Sequence, residues 1–319
     1  MASLYPGRMG RIRIGTCSFA DEALTKWFYP KGLPARERLP YYAERFDTVE
    51  IDSTYYHLPE EATTGGWADR TPDDFVFHVK AFGVMTRHPV RLQQLPPDLR
   101  DEAPVDDRGR VDRPSREFRA EIFRRFLEGV SPLRRDGKLG GILMQFPSYV
   151  VRKPASLDYL AWAREQLGDH EMLVEFRHAS WFDHDDAREE TLRFLEEHGL
   201  SHVVTDSPRV DAKTLVPTVL AVTGHSAYVR LHGRNADTWH KRGGGASERF
   251  DYLYSDNELR EWVGPLRELA GEAENAYVLF NNNNRSPGDP GDGRDFVAQA
   301  AANADRLRQI LQEADLPVS

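Results

Sequence analysis

Eight short apolar runs, nearly all followed by a stretch with helical spacing, constrain this chain more than any other feature. They are RIRIGTCS at 11–18, DTVEID at 47–52, FVFHVK at 75–80, GGILMQF at 140–146, MLVEFR at 172–177, SHVVTD at 201–206, SAYVRLHG at 226–233 and NAYVLFN at 275–281. Each has the length of a strand rather than a helix. The intervening segments predict helices over 35–46, 115–130, 156–168, 184–200, 256–270 and 294–314. Pro40 shortens or kinks the first, Ser156 caps the third, Gly199 closes the fourth and Gly264–Pro265 interrupts the fifth. Strands alternating with helices bury both faces of a parallel sheet, so a closed (β/α)8 TIM barrel is expected. The expected organisation is one domain over 1–319, with a long loop over about 81–114 and loose termini. An open doubly wound sheet is the alternative, but it usually carries a glycine-rich turn after its first strand. Here that strand ends IGTCSF.

Composition narrows the function classes. Hydrophobic residues at 40% and charged residues at 29% suit a soluble globular chain with a sizeable core. The formal net charge of −9 disfavours a general coat for nucleic acid or acidic membrane. No apolar run reaches membrane-spanning length, and the N-terminus lacks a signal-peptide core, so a cytoplasmic location is expected. Cys17 is the only cysteine, which excludes an internal disulfide and a cysteine-based zinc site.

The chemistry of a barrel gathers at the C-terminal ends of its strands. Residues two apart on a strand share a face, so the strand ends place polar pairs together. Those pairs are Glu50 with Asp52, His78 with Lys80, Glu175 with Arg177, and Tyr228, Arg230 and His232 in series. Gln145, Asp206, Arg234 and the run Asn281, Asn282, Asn283 complete the set. One such pair is adequately explained as a structural ion pair. A ring of them predicts a polar pocket, provided the strand phase is right.

The chain also resembles a known family. The segments IGTCSF, WFYP at 27–30, YYAERFDTVEIDSTYY at 41–56, FVFHVKAF at 75–82, QFPS at 145–148, VEFRHASW at 174–181, YVRLHGR at 228–234 and LFNNN at 279–283 together are similar to the YecE-like family, domain-of-unknown-function family 72. The resemblance spans nearly the whole chain. It implies a TIM barrel similar to those of metal-dependent sugar isomerases and endonucleases, and it implies no reaction. The chain departs from the family pattern in three places. It has GTCSF where GTSGW is common, an Arg87 between Thr86 and His88, and an asparagine motif extended to NNNNRSPGDPGDG.

The pocket predicts an enzyme of hydrolase or isomerase type acting on an anionic, hydroxyl-rich small molecule. Glu175 is the expected base, His232 its acid–base partner, and Lys80 and Asp206 further catalytic groups. Arg177, Arg230, Arg234, Glu50, Asp52, His78, Gln145, Tyr228 and Asn281–Asn283 are the expected substrate contacts. Glu50, Glu175, Asp206 and His232 are the set that a divalent metal such as Mg²⁺, Mn²⁺ or Zn²⁺ would use, although the cations compete for the carboxylates. No nucleotide-cofactor motif is present. Two other readings are a nucleic-acid-binding or -processing protein and a non-catalytic small-molecule binding module. The glycines of KRGGG at 241–245 add an anion-binding loop or a solvated one. Cys17 reads more readily as a small buried hydrophobe than as a nucleophile. Trp27, Tyr29, Tyr55, Tyr56, Trp181 and Trp239 are expected near the rim, and His57, His170 and His184 on the surface. The arginine-rich segment 106–135 interleaves acidic residues and reads as a mixed-charge surface.

Overall fold

All eight apolar runs form strands of one parallel sheet: β1 (Arg11–Thr16), β2 (Thr48–Ile51), β3 (Val76–Lys80), β4 (Leu139–Gln145), β5 (Met172–Glu175), β6 (Leu200–Asp206), β7 (Ser226–Leu231) and β8 (Asn275–Phe280). The computed structural model describes residues 9–208, 213–239, 250–288 and 295–319, with 238 and 239 in their backbone only. Strand order follows the sequence from β2 to β8, and β8 then pairs with β1. The sheet closes between β1 and β2 through the Cys17–Glu50 bridge, where the Ser18 amide donates to the Glu50 carbonyl at 2.8 Å. The fold is therefore a (β/α)8 barrel.

Glycine makes that closure sterically feasible. A Cβ on Gly15 would lie 2.1 Å from the Thr48 carbonyl oxygen, so only glycine lets β1 approach β2 this closely.

Two apolar layers follow from the strand phase. Cys17, Leu143, Leu173, Val203, Tyr228, Tyr277 and Leu279 fill the barrel interior. Alternate residues such as Ile12, Ile14, Val49, Val79, Ile142 and Val229 face the helices. Continuous apolar strands are what burial on both faces requires.

Helices follow most strands, with boundaries shifted from expectation. Ala35–Ala43 holds Pro40 inside it, and Arg116–Arg135 runs past Pro132. Pro154–Leu167 begins with proline at its first position, so Ser156 lies within the first turn and is not the cap. Asp185–Glu197 is capped by the His184 ring, which accepts from the Ala187 amide. The 256–270 segment is two helices, Asp256–Arg260 and Val263–Glu272. The last helix is Gln299–Glu313, because Phe296–Ala298 are extended and pair with Arg285–Pro287. Short helices at Glu22–Trp27 and Glu61–Ala68 were not expected. The 81–114 segment is a long excursion with two 3-10 turns and local bridges Arg91–Arg110 and Val105–Val111. No helix among the described residues is long and apolar enough to cross a membrane.

Candidate functional site

The inward phase of β2, β5 and β7 brings Glu50, Glu175 and Arg230 together near the strand exits, and all three are fully or almost fully buried. Arg230 grips Glu50 in a two-pronged contact, Nε to Oε2 at 2.9 Å and Nη2 to Oε1 at 2.6 Å. Its third nitrogen, Nη1, donates to Glu175 Oε2. Tyr228 donates to Glu50 Oε2 at 3.0 Å. This planar donor fork is the arrangement for which arginine differs from lysine. Burial opposes charge on Arg230, but Glu175 and Glu50 override it and hold the guanidinium protonated.

Glu175 is more heavily engaged. Besides Arg230, it accepts from Gln145 Nε2 at 2.9 Å and pairs with Arg177 Nε at 2.5 Å. Asn281 Nδ2 lies 2.9 Å from His232 Nδ1, and His232 Nε2 lies 3.2 Å from Glu175 Oε1 and 3.1 Å from Arg177 Nη2. Burial works to raise the Glu175 carboxyl, but Arg177 and Arg230 hold it well below the usual carboxylate range. A carboxylate held this way is a weak base. Its geometry suits an anchor that keeps two arginines in place. Burial together with Arg177 lowers His232 to about 3, so its imidazole is neutral.

Above this cluster lies the mouth. Lys80 ends β3, is half-buried, and its ammonium sits 4.7 Å from the centre of the Tyr55 ring. Both glutamates are taken by arginines, and Lys80 forms no side-chain hydrogen bond or ion pair among the described residues. Burial, reinforced by Arg230, lowers its pKa against the pull of Glu50 and Glu175. Asp52 stands nearby, and burial raises its carboxyl against the pull of Lys80. Arg177 is also half-buried.

Two residues at the mouth were not anticipated. Asp21 caps the Glu22–Trp27 helix by accepting from the Leu24 amide at 2.8 Å, while its Oδ2 is buried without a hydrogen-bond partner among the described residues. Burial lifts it to about 6, and the Asp52 charge adds to that rise. His88 is half-buried, with Nδ1 2.8 Å from Thr86 Oγ1 and its ring 5.1 Å from that of Tyr55. Burial lowers it to about 3, reinforced by the charges of Lys80 and Arg177. Neither belongs to a strand, so strand-phase reasoning passes over them. The motif Thr86-Arg87-His88 is the only sequence signal for His88, and Asp21 has none beyond its capping position.

Other expected site residues lie elsewhere. Asp206, at the end of β6, has the opposite phase to the inward-facing Val203. It accepts from Arg234 Nε at 2.9 Å and from the Tyr254 hydroxyl at 2.7 Å. Asp206 and Arg234 line a separate cleft of about 670 Å3 with Leu215, Leu220, Trp262 and Pro265. His78 is fully buried between the Tyr228 and Tyr277 rings, at 4.7 and 4.3 Å, and burial lowers it to about 3. Asn282 is buried against the Tyr252 carbonyl and Asn303, and Asn283 donates to the Cys17 carbonyl. These residues hold walls and loops in place. Arg177, Asp52, Gln145, Lys80 and Asn281 keep partial exposure near the mouth.

The four residues expected to serve a metal do not converge. Arg230 occupies the space between Glu50 and Glu175, and Asp206 is turned toward Arg234. No group of three or more His, Cys, Asp or Glu among the described residues is arranged to hold a metal ion. The residues present do not fit one.

Cys17 is buried with its sulfur 3.5 Å from Arg230 Nη2, and burial, reinforced by Glu50, pushes its thiol pKa up. That opposes a role as thiolate nucleophile. Of the aromatic rim, Tyr56 is exposed and Tyr55 lies beside Lys80. Tyr29 is buried, and Trp181 is fully buried and stacked on Phe176 at 3.9 Å. Trp27 packs on Phe296. The side chain of Trp239 and the 241–245 loop lie outside the described residues. His57 and His184 are exposed, whereas His170 is half-buried. The arginines of 106–135 are largely paired: Arg110 with Asp106, Arg116 with Asp158, Arg124 and Arg125 with Glu121, Arg134 with Asp169. That segment is a neutralised, mixed-charge surface.

Comparison with known proteins agrees with this architecture. The family model described as "Protein of unknown function DUF72" matches residues 13–317. The chain is 34% identical to the UPF0759 protein YunF of Bacillus subtilis over 278 residues, covering 84% of this chain and 90% of that protein. It is 27% identical to the UPF0759 protein YecE of Escherichia coli over 194 residues, 59% of this chain and 60% of that one. A crystal structure of a DUF72 protein from Thermotoga maritima superposes with a TM-score of 0.72 at 31% identity, covering 95% of this chain and 99% of that one. One from Enterococcus faecalis gives 0.75 at 25% identity, covering 94% and 95%. Family match, coverage and shared barrel agree: the chain belongs to the DUF72 family.

Proposed function

We propose that the barrel mouth binds a small, anionic, hydroxyl-rich molecule such as a phosphorylated sugar derivative, and that the protein is an enzyme of isomerase or hydrolase type. One observation carries the reading. Lys80 presents an ammonium that forms no hydrogen bond or ion pair with a carboxylate among the described residues, at the mouth of a chain that is acidic overall. Arg177, paired with Glu175, also keeps partial exposure just past the end of β5. An anion replaces the missing counter-charge, and the half-buried setting strengthens that attraction relative to water. Asp52, Gln145 and Asn281 supply hydrogen-bonding groups that suit hydroxyls.

Glu175 and His232 act as positioning residues in this reading. Glu175 is too strongly stabilised as a carboxylate to take a proton readily. Asp52 and Asp21, both raised by burial, are the better proton carriers.

The test is thermal stabilisation by a panel of sugar phosphates and their neutral parent sugars. A ligand that binds only the folded state raises the melting temperature by mass action. The expected result is a shift with phosphorylated sugars that is absent with the parents and lost in Lys80→Met. Equal shifts with neutral sugars, or an unchanged shift in Lys80→Met, would overturn the reading.

A further inference from the structure

We propose that Lys80 is a covalent catalytic residue whose side-chain amine condenses with the carbonyl carbon of an aldehyde or ketone substrate to form an imine. The inference deepens the anionic-ligand reading and rests on it only for the substrate's charge.

Four observations carry it. Lys80 is the last residue of β3, where functional groups of such barrels emerge, and its position is held because its carbonyl accepts from the Thr54 hydroxyl. Its amine has no hydrogen bond or ion pair among the described residues, while neighbouring Arg230 and Arg177 are locked to carboxylates. It lies beside the Tyr55 ring in a half-buried setting. Lys80 keeps partial solvent exposure. A lysine placed beside other cations and away from bulk water loses its proton more readily, which frees the nitrogen lone pair for attack. By contrast, Lys138 is buried and spends its ammonium on the Ala68 and Thr71 carbonyls.

The condensation balances within this site. The neutral amine attacks the carbonyl carbon, forming a C–N bond as the C–O π pair moves to oxygen. That oxygen takes a proton and the nitrogen gives one up, leaving a carbinolamine. The nitrogen lone pair then expels the hydroxyl, which leaves as water with a second proton. The product is a protonated imine plus one water; loss of the remaining N–H proton, which replaces the one taken by the leaving hydroxyl, gives the neutral imine, and no oxidant or reductant is needed. Asp52, whose carboxyl is raised by burial and feels the Lys80 charge, is the group proposed to pass these protons. The groups that set the amine's charge come from every neighbouring element: Glu50 and Asp52 by β2, Glu175 and Arg177 by β5, Arg230 on β7 and His88 on the loop after β3. An imine makes the adjacent carbon acidic, which suits isomerisation of a hydroxy-carbonyl compound.

The test traps the imine by reduction. The whole protein is incubated with sodium cyanoborohydride and either glyoxylate, an anionic aldehyde, or propanal, a neutral one, and adducts are mapped by peptide mass spectrometry. Exposed Lys153 and Lys213 serve as internal references. At pH 7 a lowered pKa enlarges the neutral-amine fraction, so Lys80 should label faster than either reference. Lys80→Met should lose the fast adduct while keeping its circular dichroism spectrum. Labelling of Lys80 no faster than the references, in a folded protein, would overturn the proposal. Rapid labelling of Lys80 by both aldehydes alike would support imine formation and count against the anionic-ligand reading. Stabilisation by sugar phosphates without a trapped Lys80 adduct would support that reading and overturn this one.

Discussion

Arg230 is the member of the site whose removal should cost most, and its contacts say where. Arg230→Met takes two donors from Glu50 and one from Glu175. Glu175 retains Arg177, His232 and Gln145, so its charge stays compensated. Glu50 retains only the Tyr228 hydroxyl among these contacts and sits fully buried. The loss is therefore close to that of leaving one buried carboxylate without its cation, about 3–5 kcal/mol. Adding Glu50→Gln removes the stranded charge and should recover a coupling energy of about 1–3 kcal/mol. The assay is urea denaturation of the wild type, both single variants and the double variant, followed by circular dichroism and tryptophan fluorescence. A loss below about 1 kcal/mol in Arg230→Met, the size of a solvent-screened surface pair, would refute a dry, charge-paired barrel centre.

Two further expectations follow from the same physics. His78 and His232 are held near 3 and His202 near 4 by burial, so each is neutral when folded yet takes a proton near pH 6.5 when unfolded. The unfolded state therefore binds more protons in this window, and stability should fall below pH 6.5 by up to about 1.4 kcal/mol per pH unit for each buried histidine. The depressed Glu175 carboxyl acts in the same direction only below about pH 4.5, as the unfolded carboxyl takes up its proton. Urea midpoints at pH 7.5 and pH 5.5 check the first effect, and equal midpoints would contradict it. Gly15→Ala puts a methyl 2.1 Å from the Thr48 oxygen and should cost at least about 1–3 kcal/mol by prising β1 from β2; an unchanged melting temperature would show that closure does not depend on this contact.

Much of this molecule is determined locally. Eight apolar runs of strand length must bury both faces, and alternating helices make the sheet parallel, so a parallel α/β fold follows from pattern; closure into a barrel rather than an open sheet rests on the β8–β1 pairing and the Cys17–Glu50 bridge. Strand period also placed Glu50, Glu175, Tyr228, Arg230 and His232 on one inward face, because side-chain direction depends only on residue parity. Parity also shows why Asp206 was misassigned: it lies one residue out of phase with Val203 and meets Arg234 outside the barrel. Residues off the strands, Asp21 and His88, obey no such period, and only the folded loops bring them near the mouth.

What the tertiary structure alone decided is the pairing. Sequence presents two glutamates, two arginines and a lysine with no order of preference. Partner choice depends on distances across the closed barrel, and Coulomb energy and hydrogen-bond geometry change steeply over an ångström. Closure sets Arg230 between both glutamates, which takes that space from a metal and leaves Lys80 with no ion pair to a carboxylate among the described residues.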